Sequence, residues 1–285
     1  MEALEGTRVV ELAVAVQGPA AGGFLADMGA DVIKVEPPGG DANRWFRGVQ
    51  NHLPDAAVGT QFIGVSSGKR SICLDIHTDL GRDVVDRLLA HADVFLSNYR
   101  EPALERMGLG YEALHERYPR LVYGIANGFG HRGPARQHRM SDQFAQARSG
   151  IGSVTGHVGT APLIPGAIVG DTGGAMSLAL GILTALLARE RLGVGQKVTS
   201  SAYGALLWMQ SFEINHTSVT GHLVGRDGAF HANVPGLAGI YETADGGAFC
   251  LGIRDDVSWR AFCEFGRTPD LANDPRWNAP PKRNP

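Results

Sequence analysis

Apolar positions along this chain fall into short runs separated by stretches at helical spacing. Arg8-Val9-Val10-Glu11-Leu12 and Asp31-Val32-Ile33-Lys34-Val35-Glu36 read as strands. Between them Ala20 to Met28 reads as a helix, with Pro19 near its first turn and Gly29-Ala30 as its stop. Gln17-Gly18-Pro19 breaks the first strand. Strand, helix, strand with short connections is a βαβ unit and predicts a parallel sheet. Residues 40–68 are polar and broken by glycine and proline, and read as a long loop. The alternation then resumes: Lys69 to Asp75 a strand with basic residues at its mouth, Thr78 to His91 a helix, Asp93 to Asn98 a strand ending in polar residues. Tyr111 to Arg117 is a further helix and Leu121 to Ile125 a further strand.

The next segment carries the candidate chemistry. Ala167-Ile168-Val169 reads as a short apolar strand and Gly170-Asp171-Thr172-Gly173-Gly174 as the corner after it. Met176, Leu178, Ala179, Leu180, Ile182, Leu183, Leu186 and Leu187 then form an apolar stripe at helical spacing, ended by Arg189, Arg191 and Gly193. Ser177, Thr184 and the charges close behind make this helix fall short of a membrane span. Asp171 has two readings. It can cap the helix, accepting a hydrogen bond from the first-turn N–H groups, or it can be a nucleophilic carboxylate with small neighbours that admit a carbonyl carbon. Gln17, Asn98, Asn127 and Asp171 all fall at expected strand ends, where a doubly wound sheet binds ligands, and this shared position favours the second.

After Gln196-Lys197-Val198, residues 199–220 read as one more helix and Gly221 to Gly228 as a linker. Gly239 to Thr243 and Ala248 to Leu251, joined through Asp245-Gly246-Gly247, read as a hairpin that begins a smaller domain. The expected fold is α/β: a doubly wound parallel sheet over residues 1–200, a linker helix and loop over 201–228, and the start of a small α+β domain over 229–285. The last residues, 278–285, look like an ending in mid-domain.

Composition narrows the function classes. The formal net charge of -3, with 19% charged residues, gives no reason to expect nucleic acid. Cys73, Cys250 and Cys263 are few and widely spaced, which argues for a reducing compartment without a disulfide frame or a zinc site. MEALEGTRVVEL has neither a basic nor an apolar leader region, so the expectation is a cytoplasmic protein with no membrane partner. Glu36 sits where a dinucleotide fold would hold a ribose hydroxyl, but Gln17-Gly18-Pro19-Ala20-Ala21-Gly22 is not the G-x-G-x-x-G turn, which argues against a nicotinamide or flavin enzyme. His131, Arg132, Arg136, His138 and Arg139 form a basic run, either a solvated loop or a rim for phosphate. A carboxylate nucleophile beside such a rim suggests an acyl group on a phosphorylated carrier such as coenzyme A.

Several segments together resemble the family III coenzyme A transferases, a group that also includes α-methylacyl-CoA racemases. They are Gly18-Pro19 with Leu25 to Glu36, Gly68 to Ile72, Ser97-Asn98-Tyr99-Arg100, Met107-Gly108-Leu109, Gly128-Phe129-Gly130 with Gly133-Pro134, Gly170-Asp171, Gly193 to Val198 and Tyr241 to Gly246. The resemblance implies a Rossmann-like large domain, with Asp171 attacking the thioester of an acyl-CoA and Gln17 facing the reacting carbonyl. It places CoA against Pro38, Leu74, Asp75, Ile76, His77, Asn98, Tyr99, Arg100, Arg106, Arg139, Met140, Ser141 and Asp142. The implied substrates are an acyl-CoA and a carboxylic acid, with no permanently bound cofactor and no metal, and the implied assembly is an interlocked homodimer. Pro38 stands where the family often has a basic residue, Glu101 where proline is common, and Thr199 where an acidic residue is usual. Ser141 stands where the racemases carry histidine, which favours a transferase over a racemase-like epimerase, since serine is no proton acceptor near neutral pH. The small domain has no run of consecutive glycines such as formyl-CoA transferases carry, so an oxalate or formate substrate is not implied. Family chains continue past residue 285 to complete the large domain. A catalytically weak CoA-binding fragment that needs a partner chain is therefore the other class of reading.

Overall fold

The computed structural model describes residues 2–48, 53–54 and 57–283. The chain divides into two compact units, one formed by residues up to 148 with 167–208, the other by residues 149–166 with those from 209 onward.

In the first unit the elements run β1 (Arg8–Leu12), α1 (Gln17–Asp27), β2 (Asp31–Glu36), α2 (Thr60–Ser66), β3 (Arg70–Cys73), α3 (Asp79–Leu89), β4 (Val94–Ser97), α4 (Glu101–Arg106), α5 (Tyr111–Arg117), β5 (Val122–Asn127), α6 (Asp142–Ser149), α7 (Val169–Leu192), β6 (Lys197–Ser201) and α8 (Ala202–Met209). The six strands are all parallel, in the order β3-β2-β1-β4-β5-β6. Strand order reverses between β1 and β4, the place where sheets of this kind open a crevice for ligand. The expected doubly wound α/β sheet is present.

Period-two alternation sends the strands' side chains to opposite faces. Val9, Val32, Val94, Leu96 and Val122 pack with Ala21, Leu25, Leu178 and Ile182 of α1 and α7. Val10, Val35, Phe95, Tyr123 and Ile125 pack with Val85, Leu89, Leu104 and Leu114 of α3, α4 and α5. Gly124 lets α7 lie close on β5, since a Cβ there would sit 2.7 Å from Ile182 Cδ1.

Four expectations are corrected. Residues 40–68 are not a continuous loop: Asp41 caps a short 3-10 turn at Ala42–Arg44 and α2 follows, while 49–52 and 55–56 lie outside the described residues. The segment 199–220 is not one helix. Lys197–Ser201 pairs with β5 as the edge strand, α8 follows, and Gln210 separates it from α9 (Ser211–Thr220). Gln17 opens α1 rather than breaking a strand. By length and composition α7 is long and apolar enough to cross a membrane; its Ala175, Leu178, Ala179, Ile182 and Ala185 are spent on the sheet.

The second unit contains α9, an antiparallel hairpin of β7 (Leu237–Glu242) and β8 (Ala248–Ile253), and α10 (Asp256–Phe265). Asp255 caps α10 through Ser258 N–H, and Trp259 and Cys263 of that helix pack against Ile253. Residues 284–285 of the expected mid-domain ending lie outside the described residues.

Candidate active site

Asp171 lies in the first turn of α7. The expected strand at Ala167–Val169 is absent: Val169 is already helical and Ile168 occupies the cap position without a side-chain bond. The cap comes from elsewhere. Asp142 Oδ1 accepts from Gly170 N–H at 2.8 Å and Asp171 N–H at 3.0 Å, while Gln146 Nε2 donates to the other oxygen. Gly170 makes this approach possible, because a Cβ there would lie 2.8 Å from Asp142 Oδ1. Asp171 is therefore no cap, and its carboxyl lines a cavity of about 490 Å³. Burial, and secondarily the charge of Asp142, pushes its pKa up from 3.8 to about 6.

Gln17 reaches the same cavity from the first turn of α1 and is only 5% exposed. Its Nε2 is buried with no hydrogen-bond partner among the described residues. Gly174 of α7 gives it room, since a Cβ there would stand 2.2 Å from that nitrogen. The two side chains thus come from helices packed side by side on one face of the sheet, at the carboxyl ends of its strands.

The other expected residues divide between two cavities. Asn98, Tyr99, Arg100, Arg139 and Met140 line the Asp171 cavity, as do His131, Arg136 and His138 of the basic run; Arg132 is not among its lining residues. Pro38, Leu74, Asp75, Ile76, His77 and Arg106 line a second cavity of about 480 Å³, and Tyr99 lines both. Ser141 and Asp142 line neither. Ser141 is exposed, and Asp142 is buried in its capping role. The guanidinium groups of Arg100, Arg106, Arg136 and Arg139 have no partner among the described residues, leaving four cations free at the two cavities.

Other charges are spent on structure. Glu36 accepts from Arg44 at 2.6 and 2.7 Å, from Ser71 at 2.6 Å and from Asp41 N–H at 2.9 Å, and its pKa falls to about 2. It is a structural carboxylate with no oxygen left for a ribose. At the mouth of β3, Arg70 pairs with Asp31 and Lys69 with Glu11. The Asn98 amide both accepts from Val14 N–H at 3.0 Å and donates to Val14 O at 2.7 Å. Sequence reasoning missed the cap made by Asp142 and the buried pair Glu11 and Lys34. A charge midway along a parallel strand was the available signal, since such strands are covered on both faces. Among the described residues no group of His, Cys, Asp and Glu is placed to hold a metal ion.

A sequence model of CoA-transferase family III matches residues 4–285. The chain is 38% identical over 280 residues to succinyl-CoA–D-citramalate CoA-transferase of Chloroflexus aurantiacus, covering 96% of this chain and 67% of that one. It is 34% identical over 300 residues to formyl-CoA:oxalate CoA-transferase of Streptomyces avermitilis, covering 100% and 72%. Among solved structures, a CaiB/BaiF family protein from Brucella suis superposes with a TM-score of 0.85 at 31% identity, over 99% of this chain and 74% of that chain.

Proposed function

The chain belongs to CoA-transferase family III, and on that premise we propose that Asp171 is the nucleophile through which it moves coenzyme A between an acyl-CoA and a carboxylic acid. One carboxylate oxygen of Asp171 attacks the thioester carbonyl carbon, and the C–O bond forms as the carbonyl π electrons move onto oxygen. Collapse of that oxyanion expels CoA thiolate and leaves an acyl–aspartyl anhydride. The thiolate then attacks the aspartyl carbonyl, releasing the donor acid and leaving an aspartyl–CoA thioester. The acceptor carboxylate repeats the two steps in reverse and Asp171 is regenerated.

The observation that carries this reading is the placement of Asp171: a carboxylate at a cavity, not capping its helix and, among the described residues, not paired with a cation. With a pKa of about 6 it is mostly ionised at pH 7, yet more basic than an ordinary aspartate. The oxyanion needs a donor. The N–H groups that open α7 are taken by Ala167 O, Asp142 and Ile168 O, whereas Gln17 Nε2 is unspent. We assign Gln17 that role. Three of the unpaired arginines, Arg100, Arg106 and Arg139, fit the phosphates of CoA along the cavities through Tyr99, with Arg106 at the second cavity and Arg100 and Arg139 at the Asp171 cavity. Arg136, also unpaired, leaves a cation for a second carboxylate on the acyl group. The Chloroflexus relative is named for two dicarboxylic acids, and a dicarboxylic acyl donor is the substrate class proposed here. Met176, Leu180 and Leu187 leave an exposed apolar row on α7, and a homodimer is proposed to cover it.

The test is intact-mass spectrometry after mixing with succinyl-CoA and with monocarboxylic acyl-CoA esters, followed by hydroxylamine trapping. A trappable adduct on wild type and none on Asp171→Asn supports the reading; CoA binding without an adduct from any donor overturns it.

A further inference from the structure

The segment that presents Gln17 is held by more side chains than a connecting loop needs. Lys34 Nζ donates to Ala13 O at 2.7 Å, Asn98 brackets Val14 through both its amide atoms, Asn43 Nδ2 donates to Ala15 O at 2.6 Å, and Lys69 Nζ donates to Pro19 O at 2.6 Å. Ala15, in the middle, has a φ of 61°, a left-handed conformation that a non-glycine residue adopts only when its surroundings enforce it. The two lysines are themselves buried, with side chains 1% and 2% exposed. They share Glu11, which takes Lys34 at 3.0 Å on one oxygen and Lys69 at 2.6 Å on the other; Asp41 holds Lys34 at 2.9 Å from the far side. Two cations thus face two anions with no solvent exposure to speak of. Gly22 is the room this arrangement needs, because a Cβ there would meet Glu11 Oε2 at 2.0 Å.

A hydrophobic core of similar volume would stabilise the fold at least as well as buried charges do. What the charges add is direction: each lysine has a spare N–H, and both are aimed at backbone carbonyls flanking Gln17. We propose that Lys69 and Lys34, fixed by Glu11 and Asp41, are positioning residues that lock the Ala13–Pro19 segment and so hold the unpartnered Gln17 amide against the reacting carbonyl at Asp171. The inference rests on the role given to Gln17 above. Pre-organisation of this kind acts on the chemical step, because a donor fixed before the oxyanion forms needs no reorganisation when it appears.

The test is a double-mutant cycle on steady-state transfer from succinyl-CoA, with thermal unfolding recorded for every variant. Gln17→Ala is expected to lower kcat about 100-fold. Lys69→Met is expected to lower kcat about 10- to 100-fold, with KM for the acyl-CoA changed less than about threefold. In the Gln17→Ala background the same Lys69→Met change is expected to cost less than about twofold, because the amide it positions is gone. Should Lys69→Met fail to unfold cooperatively, the cycle is read on Asn43→Ala, which removes one neutral hydrogen bond to Ala15 O. Equal losses with and without Gln17, or an unchanged kcat in the single variant, overturn the inference and leave the Gln17 assignment standing. An unchanged kcat in Gln17→Ala overturns that assignment and this inference together, while leaving Asp171 untouched.

Discussion

Glu11 is buried and Asp171 half-buried within one unit, and their surroundings are opposite. Glu11 is 0% exposed with a lysine on each oxygen. Among the described residues Asp171 has no cation in hydrogen-bond reach, and the charge acting on it is another carboxylate, Asp142. The first cluster is balanced and gains nothing by reacting. The second keeps a half-buried anion beside another negative charge, and in the proposed mechanism acylation would turn that anion into a neutral anhydride, relieving the cost of burying it as the new bond forms. Electrostatic compensation separates the scaffold from the reagent.

The largest break in this comparison is Asp171→Asn. Transfer is expected to fall by about 10⁴-fold or more, with calorimetric CoA binding within a few-fold of wild type; activity within tenfold of wild type moves the nucleophile elsewhere. Next comes the balanced cluster. Glu11→Leu leaves Lys34 and Lys69 buried with Asp41 alone, and is expected to lower stability at pH 7 by about 3–5 kcal/mol in urea unfolding. A loss below about 1 kcal/mol would mean that the lysines find other partners. Asp171→Asn should move the opposite way, gaining about 1–3 kcal/mol at pH 7.5.

That gain has a defined pH window. The carboxyl titrates at about 6 in the folded chain against an ordinary 3.8. Below 3.8 it is protonated folded or unfolded and costs nothing. As pH rises from 3.8 to 6 the unfolded chain releases its proton first and stability drains away; above 6 the full penalty stands. Urea unfolding of wild type and Asp171→Asn at pH 3.5 and pH 7.5 should therefore agree at the first and diverge at the second. Divergence at both places the effect outside titration of this group. On the kinetic side, kcat/KM is expected to fall tenfold per pH unit below about 6. The smallest effect is Asp142→Asn, which keeps an oxygen for the α7 cap but removes the charge beside Asp171. It should shift that acidic limb down by less than one unit, and an unmoved limb would make burial the sole cause.

Much of this was legible in the chain. Both strands of the first βαβ unit, Arg8–Leu12 and Asp31–Glu36, have the bounds their apolar runs suggest, and Tyr111–Arg117 has those of its helix. Local pattern misled where a distant residue decides. Ile168 and Val169 are β-branched and precede glycines, so they look like a strand end; the cap that starts the helix there is Asp142, far back along the chain. Lys197–Ser201 has the polar composition of a helix start, and only its pairing with β5 makes it an edge strand. At the site, Asp171 stood out because glycines surround it, whereas Gln17 was marked only by its place at an expected strand end and took its role from the resemblance. The loop proposed to aim it is held by Lys34, Asn43 and Lys69, none of which has a local signature for that task.

The gap at Gly174 has a meaning for descent. A methyl group there would push at the far end of a flexible side chain, Gln17 Nε2 at 2.2 Å, while the backbone nearest it, Ala202 N, lies at 3.2 Å. The sheet, the helices and both cavities would survive an alanine, and the amide would swing away. With Gln17 in its proposed role, one small substitution would separate an enzyme of this architecture from a protein that still folds and still holds its acyl carrier but turns it over slowly. A single added methyl group is enough, on this reading, to lead from catalyst to carrier-binding protein.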